Sequence, residues 1–387
     1  MSYRFALQKP SAELDALRGE VRAFLAEEMP HISVKEQATS WHNFDPAFSR
    51  KIGAQGWIGM TWPKQYGGQE RSLLERYVVI EELLAAGAPI SAHWTGDRQS
   101  GPMLIRYGTE EQRRTLLPKV AAGEIYFCIG MSEPNAGSDL AAIKTRAEKV
   151  PGGWKINGSK IWTTYAHKRH YMILLCRTSQ EESRHAGMSQ MLVDLKTPGI
   201  VIRPIMNMAR EENFNEVFFT DVFVPDDAVL GAVGDGWKQV TSELGFERSG
   251  PERFLSAYIL LRELVRIAAK NPTDRAKVAI GRAVATLSTL RAMSFSLAAM
   301  LASGEDVGAE ASVVKDMGGV FEQSIPELAR DLIPLEPVVS DDENAGSEQA
   351  DYLAALTITM LHSPSFSIYG GTREILRGIT ARSLGLR

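Results

Sequence analysis

The chain has 387 residues, of which 44% are hydrophobic, so it is long enough to form two or three domain cores. Its formal net charge of −4, together with the lack of a clustered basic stretch, argues against a nucleic-acid-binding surface. There is no uninterrupted apolar run of roughly 18 residues and no N-terminal apolar core with a small-residue cleavage site. We therefore expect a cytoplasmic protein that does not enter a membrane.

The cysteines and histidines give no sign of a metal site. Cys128 and Cys176 lie in apolar, strand-like runs without the spacing of metal ligands, so we predict two buried free thiols. The seven histidines are scattered along the chain, and His167 and His170 lack matching cysteine or carboxylate partners. We expect no bound metal.

Hydrophobic periodicity predicts three domains. Apolar residues three and four apart, bounded by glycine and proline turns, predict helices over residues 12–28, 73–86, 102–107 and 110–120. Alternation then predicts strands over residues 171–177, 191–194, 200–205 and 216–225. Helices return over residues 254–269, 276–301, 311–332 and 371–383. The predicted class is α+β, with an N-terminal helical domain (1–123), a middle β domain (124–232) and a C-terminal helical domain (233–387).

A turn-rich loop with the sequence SEPNAGSD, residues 132–139, follows an apolar run that ends at Met131. Its small residues allow backbone N–H groups to approach a ligand closely. Such a loop suits an anionic or flat polar cofactor.

Downstream, residues 154–160 alternate apolar and polar side chains around Asn157-Gly158, a dipeptide typical of two-residue hairpin turns. We predict a β-hairpin turn there. Trp162 and Thr164, two residues apart on the following strand, would then share one face. An ordinary hairpin without a ligand explains this spacing equally well.

The motifs MSEPNAGSD and NGSKIWTT resemble the flavin-binding core of the acyl-CoA dehydrogenase family, and the resemblance runs over nearly the whole chain. It implies the fold of that family, in which the middle domain is a β-barrel or sandwich and the C-terminal domain a four-helix bundle. It also implies FAD as the cofactor.

Residues matching the family's FAD contacts follow from this resemblance. Met131 and Ser132 would hydrogen-bond the flavin ring, and Ser138 would reach the pyrophosphate. Trp162 and Thr164 would flank the isoalloxazine. Two residues near the C-terminus complete the set of candidates, Thr372 and Glu374.

The catalytic base departs from the usual pattern of the family. Most members use a glutamate in a Tyr-Glu-Gly-Thr run to remove the α-proton of the acyl thioester, in a pocket dry enough to raise its pKa. Here the run reads Tyr369-Gly370-Gly371-Thr372, so that glutamate is absent. A minority of members carry it on the helix that opens the C-terminal domain, where Glu247 matches. We therefore predict Glu247 as the base.

Gly370 keeps a role in this prediction. In the family, the backbone N–H at this position and a flavin ribityl hydroxyl hold the thioester oxygen, and glycine retains that N–H. The missing side chain would also leave room beside the α-carbon for a branched or bulky acyl chain. Glu247 has two alternatives: it could belong to a solvated helix face with ion pairs of ~0.2–0.5 kcal/mol each, or Glu243, one turn earlier, could be the base.

Two flavin contacts of homotetrameric family members are missing. The chain has neither the Arg-x-x-Phe-Gly stretch of the first long C-terminal helix nor the glycine-rich turn before the last helices. In place of that turn, residues 334–349 are acidic and proline-containing, which predicts a loop or linker. A pyrophosphate without its arginine would lose charge-assisted hydrogen bonds of ~1.5–3 kcal/mol each. We expect a second, acyl-CoA dehydrogenase-like chain in an α2β2 assembly, as in bacterial steroid side-chain dehydrogenases, or else a homo-oligomer with altered flavin contacts.

The resemblance implies FAD-dependent α,β-dehydrogenation of an acyl-CoA thioester, with electrons passed to an electron-transfer flavoprotein. A bulky acyl group such as a steroid side chain is expected, although a branched short or an aromatic acyl group stays open. One alternative is an oxygen-using flavin oxidase or monooxygenase of the same fold. The other is a non-catalytic or FAD-sharing scaffold subunit of a heteromeric dehydrogenase.

Overall fold

The structure, a computed structural model, describes residues 3–333 and 347–386, apart from the side chains of residues 243–247. The helices of the N-terminal part are α1 (Ala12–Glu28), α2 (Val34–Gln37), α3 (Pro46–Ala54), α4 (Leu73–Ala86), α5 (Ser91–Thr95), α6 (Gly101–Tyr107) and α7 (Glu110–Ala121). The strands are β1 (Phe127–Gly130), β2 (Arg146–Val150), β3 (Gly153–Thr164), β4 (Tyr171–Arg177), β5 (Met188–Asp194), β6 (Ile200–Ile205) and β7 (Phe214–Pro225). The later helices are α8 (Gly236–Ser249), α9 (Tyr258–Ala268), α10 (Asp274–Ala302), α11 (Gly308–Leu332), α12 (Glu348–His362) and α13 (Arg373–Ser383).

The chain folds as two units, which are described separately below. The helical unit comprises Met1–Phe44, Arg71–Ile90 and Gly245–Arg387, and the sheet unit comprises Asp45–Glu70 and Ser91–Leu244. Helices thus precede and follow a run of strands, which confirms the α+β class. The boundaries of the three domains stay a prediction.

Local sequence signals set the ends of several helices. At the start of α4, Ser72 and Glu75 form a capping box, in which the Glu75 N–H donates to Ser72 Oγ (3.2 Å) and the Ser72 N–H donates to Glu75 Oε2 (2.8 Å). Gly87 ends α4 with a left-handed φ of 73°. The structure confirms the bounds predicted for α1 and α4. Both were predictable because such signals lie at their ends.

The helical unit buries ion pairs as well as apolar side chains. Glu81 of α4 accepts from Arg18 of α1 (Nη1 to Oε2, 2.8 Å) and from Arg291 of α10 (Nε to Oε1, 2.7 Å). Towards the C-terminus, α11 packs against α9, α10 and α12, and these four helices correspond to the predicted bundle. Residues 334–346 of the predicted linker lie outside the described residues, whereas Glu348 and Gln349 already belong to α12, a helix that was not predicted.

Helix α10 is the one described helix that is long and apolar enough to cross a membrane, judged by length and composition. In the structure it packs against α4 and α11 of the helical unit. Core helices of soluble proteins meet the same criterion, so its composition is weak evidence for a membrane span.

The sheet unit is organised around one seven-stranded sheet within the described residues, in the order β1-β4-β2-β3-β7-β6, with β5 paired to β4. Residues 172–176 of β4 are all buried, as expected for an internal strand. The predicted bounds of β4 and β6 are confirmed, while β5 and β7 begin a few residues earlier than predicted. Cys128 and Cys176 are buried free thiols, as predicted, and burial raises the pKa of each to about 12.

The predicted hairpin turn at Asn157-Gly158 is wrong. Strand β3 runs without a break through both residues, and the turn of the β2–β3 hairpin lies at Pro151-Gly152. Asn157 instead lies opposite a β-bulge of β7, in which Thr220 and Asp221 oppose this one residue, and the Asp221 N–H donates to Asn157 Oδ1 (2.9 Å). The Asn-Gly signal marked a position of positive φ, because Gly158 has φ +145°, but a strand beside a bulge uses that conformation as readily as a turn does.

Gly158 should not tolerate even a methyl group. A Cβ at this position would lie 2.6 Å from Thr145 Oγ1 and 2.7 Å from Thr145 Cα. We expect Gly158→Ala to lower the free energy of unfolding by ~2–4 kcal/mol, since clash and backbone strain add. Gly152→Ala is the matched control, because Gly152 also has a positive φ, +78°, but nothing lies within 4 Å of its Cβ position. Equal losses in denaturant unfolding would contradict a steric role for Thr145.

Candidate active site

The SEPNAGSD loop follows β1 in the sheet unit and closes on itself at its base. The N–H of Glu133 donates to the carbonyl of Ala136 (2.9 Å), and the N–H of Ala136 donates back to the carbonyl of Glu133 (3.0 Å). Ala136 is buried, whereas Gly137 and Ser138 are exposed. The loop therefore presents a small, exposed tip on a fixed base.

A buried ion pair anchors this loop to the sheet. Lys160 of β3 has a fully buried side chain, and its Nζ lies 2.9 Å from Glu133 Oε1. The same carboxylate accepts from the backbone N–H groups of Lys144 (2.6 Å) and Thr145 (2.9 Å). Burial alone would raise the pKa of Glu133, but Lys160 and these donors outweigh it and lower the pKa. For Lys160, burial lowers the pKa against the opposing effect of Glu133.

The start of the loop lies against β3 just before Trp162. Lys160 Nζ donates to the Met131 carbonyl (2.8 Å), and the Ile161 N–H donates to the Ser132 carbonyl (2.9 Å). Two predicted site residues, Met131 and Ser132, are thereby held next to the residues that precede a third, Trp162. Ser138 lies on the exposed tip, where no described contact ties it to the others.

Trp162 has an unusual conformation for a large aromatic residue. It lies at a register shift between β3 and β7 and has a left-handed φ of 60°. Its side chain is 57% exposed, with an edge contact to Phe214 at a ring distance of 6.0 Å. Core packing therefore does not account for this ring.

Thr163 beside it is buried, whereas Thr164 is half-buried, so Trp162 and Thr164 lie on the open side of the strand. An exposed ring on strained backbone is typical of a ligand-contacting position. It fits the wall of a site for a flat ring system such as that of FAD.

In the helical unit, the sequence Tyr369-Gly370-Gly371-Thr372 forms a turn before α13. Gly370 and Gly371 have φ values of +75° and +104°, which L residues rarely adopt. Arg248 Nε donates to the carbonyl of Gly370 (3.0 Å). The turn is therefore fixed from the end of α8.

The room expected beside Gly370 is not open, which corrects the prediction from the sequence. A Cβ on Gly370 would lie 3.1 Å from both Cζ and Nη1 of Arg253. Arg253 is 1% exposed, so its guanidinium fills the space that the side chain of residue 370 would need. A neighbouring cation, rather than a void, therefore lies where a glutamate side chain at residue 370 would begin.

The side chains of Glu243 and Glu247 lie outside the described residues. Their backbone belongs to α8, and the residue after Glu247 is Arg248. Because Arg248 contacts the Gly370 carbonyl, the end of the helix that carries Glu247 lies beside the Gly370 turn. The choice between Glu247 and Glu243 as base stays a prediction.

Thr372 and Glu374 start helix α13. Thr372 is its N-cap residue, and Glu374 is exposed in the first turn. Hydrogen bonds from the Glu374 N–H and from the Thr372 side chain lower the pKa of the Glu374 carboxyl. The side chain of Thr372 makes no capping hydrogen bond to the helix backbone, and the assignment of both residues to FAD binding stays a prediction.

Sequence reasoning missed Glu133 and Lys160 as residues that anchor the loop of the sheet unit. It also missed Arg248 and Arg253 as residues that contact the Gly370 turn of the helical unit. Lys160 could have been noticed, because it continues the buried side of a strand that also carries Trp154 and Ile156. Arg253 has no such local signal, since its contact with Gly370 joins residues far apart in the sequence.

This chain is similar to known proteins in both sequence and fold. Residues 11–124 match the acyl-CoA dehydrogenase N-terminal domain, and residues 128–222 match the acyl-CoA dehydrogenase middle domain. The chain is 36% identical to the acyl-CoA dehydrogenase IpdE1 of Mycobacterium tuberculosis, over 88% of this chain and 87% of that protein.

Two solved structures share the fold over nearly the full length. The Tcur3481-Tcur3483 steroid ACAD superposes with a TM-score of 0.86 at 28% identity, covering 98% of each chain. The ChsE4-ChsE5 complex from Mycobacterium tuberculosis gives a TM-score of 0.83 at 27% identity, covering 98% of this chain and 99% of that one. With the two domain matches spanning more than half of the sequence, this chain belongs to the acyl-CoA dehydrogenase family and is an acyl-CoA dehydrogenase.

Proposed function

We propose that this acyl-CoA dehydrogenase uses FAD and the base Glu247 to oxidise a bulky or branched acyl-CoA thioester, such as one with a steroid side chain. The observation that carries the proposal is the contact between Arg248 and the Gly370 carbonyl, 3.0 Å. It supports a site in which α8 brings Glu247 to the turn that the family uses for the thioester. Electrons would pass to an electron-transfer flavoprotein.

The residues of the sheet unit fit FAD. The exposed ring of Trp162 and the half-buried Thr164 would line the flat ring of the cofactor, and Met131 and Ser132 would hydrogen-bond its edge. Ser138, on the exposed loop tip, would contact the pyrophosphate. FAD, when bound, supplies the acceptor for the hydrogen that leaves the β-carbon as hydride.

Residues of this chain would remove the α-proton and stabilise the negative charge that develops. The carboxylate of Glu247 would take the α-proton, and the electron pair of that C–H bond would form the new α,β double bond as the β-hydride departs. The N–H of Gly370 would hold the thioester oxygen while negative charge develops on it. Arg248, through the Gly370 carbonyl, would keep that N–H in place.

The substrate proposal depends on a relative rather than on open space at Gly370. The Tcur3481-Tcur3483 protein, which shares the fold over 98% of the chain, is a steroid ACAD. Similarity over the full length supports a steroid or comparably bulky acyl group here.

A second, acyl-CoA dehydrogenase-like chain is proposed as the partner that completes the FAD site. The support is the missing Arg-x-x-Phe-Gly stretch in the sequence, together with the ChsE4-ChsE5 complex, whose name gives two different chains. A pyrophosphate needs cationic or N–H donors, and a partner chain could provide them. If the protein forms a homo-oligomer, the proposal of a second, different chain is contradicted.

The test is turnover of a panel of CoA thioesters by the chain co-expressed with its neighbouring acyl-CoA dehydrogenase-like chain. The panel contains steroid side-chain, branched short and aromatic acyl groups, with an electron-transfer flavoprotein as acceptor. We expect products two hydrogens lighter by mass spectrometry, formed fastest from the steroid thioesters. A yellow protein that dehydrogenates none of them would contradict the proposal. Colourless protein would favour the scaffold alternative, and fast reoxidation by air would favour an oxygen-using enzyme.

A further inference from the structure

The guanidinium of Arg253 lies at the position that the Cβ of a side chain on residue 370 would face. The Cβ position of Gly370 is 3.1 Å from Cζ, 3.1 Å from Nη1 and 3.2 Å from Nη2 of Arg253. Three nearly equal distances place this point over the face of the guanidinium fork rather than at its edge. Because Arg253 is 1% exposed, its charge lies in a poorly solvated position beside the turn.

Further charged groups surround the same turn in the helical unit. Arg248 reaches the Gly370 carbonyl, and Lys315 lies 4.9 Å from the Tyr369 ring centre. The described carboxylates are Glu252, 3.9 Å from Arg253 Nε, and Glu322. Burial, opposed by Lys315, raises the pKa of Glu322. Arg248, Arg253 and Lys315 are thus the described cations near the turn, and Glu252 and Glu322 are the described carboxylates.

The Tyr369 ring completes these surroundings. Its hydroxyl lies 3.4 Å from Ser256 Oγ, and Arg253 lies over the ring at 5.9 Å. Burial raises the pKa of this hydroxyl well above its usual range, so Tyr369 adds no negative charge. Arg253 is the described cation whose guanidinium lies at the Cβ position of Gly370.

We infer that Arg253 is a positioning residue for the dehydrogenation, acting through Gly370 to stabilise negative charge on the thioester oxygen. The inference rests on the proposed function, in which the Gly370 N–H holds that oxygen. A fixed cation behind the turn favours the anion formed when the α-proton leaves, and it also fixes Gly370 itself. Arg253 takes space that a side chain at residue 370 would need, so a larger residue there would displace the guanidinium.

Arg253→Lys and Arg253→Gln separate charge from packing. Lysine keeps the positive charge without the flat fork, and glutamine keeps a flat end group without the charge. In the holoenzyme with its partner chain, we expect Arg253→Gln to lower kcat ~10–100-fold with little change in KM, and Arg253→Lys to lose clearly less. Arg291→Gln is the matched control, because it removes an arginine of the same unit that pairs with Glu81 and leaves Gly370 untouched. It should leave kcat within about twofold of wild type.

A second readout does not depend on turnover. A CoA thioester with sulfur in place of the β-carbon can lose its α-proton but has no β-hydride to transfer. The conjugated enolate absorbs at longer wavelength than the thioester, so loss of the α-proton can be followed by absorption over a pH series. We expect the pH at which the bound thioester loses its α-proton to rise by ~1–2 units in Arg253→Gln and by less in Arg253→Lys.

The outcomes separate the inference from the proposed function. If wild type neither oxidises thioesters nor deprotonates the analogue, the proposed function fails. If wild type does both and Arg253→Gln matches it in kcat and in the pH of deprotonation, Arg253 has only a structural role. Should either arginine variant fail to fold, Gly370→Ala tests the contact from the other side, since its Cβ would push the guanidinium away. It should shift the deprotonation in the same direction, and an unchanged pH would overturn the inference.

Discussion

Glu247→Gln is expected to lower turnover by ~10²–10⁴-fold while the protein keeps its flavin colour. An amide cannot accept the α-proton, and general-base catalysis contributes an effect of that size. The helix that carries Glu247 ends at Arg248 and Ser249, beside the Gly370 turn. Glutamine has nearly the same shape as glutamate, so the substitution should not disturb the fold. Steady-state turnover with an electron-transfer flavoprotein, and exchange of the α-proton with deuterated solvent, should fall together.

Glu243→Gln is the matched control on the same helix, one turn earlier. We expect its turnover to stay within a few-fold of wild type, because Glu247 rather than Glu243 is the proposed base. The reverse pattern, with Glu243→Gln inactive and Glu247→Gln active, would assign the base to Glu243. If both variants still exchange the α-proton, the base is another residue or belongs to the proposed partner chain.

Lys160→Met is expected to cost ~3–5 kcal/mol in the free energy of unfolding, the typical cost of leaving one member of a buried ion pair without its partner. Glu133 would then be a buried carboxylate whose cation is gone, although the N–H groups of Lys144 and Thr145 remain. The loop that starts at Met131 would also lose the bond from Lys160 Nζ to its carbonyl. We therefore expect weaker FAD retention as well, measured as flavin content after dialysis.

The pH dependence of this loss follows from Glu133. Without Lys160, burial raises the pKa of Glu133 in the folded state above its unfolded value. A group of this kind favours folding at low pH and loses that contribution as the pH rises through the folded-state pKa. The difference between variant and wild type should thus be largest at neutral pH and shrink in acid. Urea unfolding at several pH values measures it.

Lys149→Met gives the comparison with an exposed pair. Lys149 pairs with Asp226, and both side chains are more than half exposed. Exposed pairs contribute ~0–1 kcal/mol, so this variant should unfold close to wild type. If Lys149→Met and Lys160→Met lose equal stability, burial of the Glu133 pair is not what holds the loop.

Much of the fold was predictable because its signals are local. Helices α1 and α4 carry their own caps, and β4 and β6 carry the expected apolar pattern, so their bounds agree with the prediction. Helix α12 was missed although Tyr352, Ala355, Leu356 and Thr359 are buried at helical spacing. Its run of Thr357-Ile358-Thr359 contains β-branched residues, which favour strands and obscured the helical period.

The candidate site was less predictable, because tertiary contacts decide it. Asn157-Gly158 has the local chemistry of a turn, yet pairing of β3 with β7 keeps it in a continuous strand opposite a bulge of β7. Gly370 looked like added room until Arg253, more than a hundred residues away in the sequence, proved to fill it. Local patterns specify which residue types stand in the loop and the strand, while the charges around them depend on the folded chain.

The most direct measurement is the visible absorption spectrum of the wild-type protein, co-expressed with the proposed dehydrogenase-like partner, before and after anaerobic addition of acyl-CoA thioesters. We predict an oxidised flavin spectrum that bleaches with a bulky, steroid-type thioester and that stays unbleached in Glu247→Gln. Flavin that keeps its full absorption with every thioester, or a Glu247→Gln variant that bleaches as fast as wild type, would contradict the account.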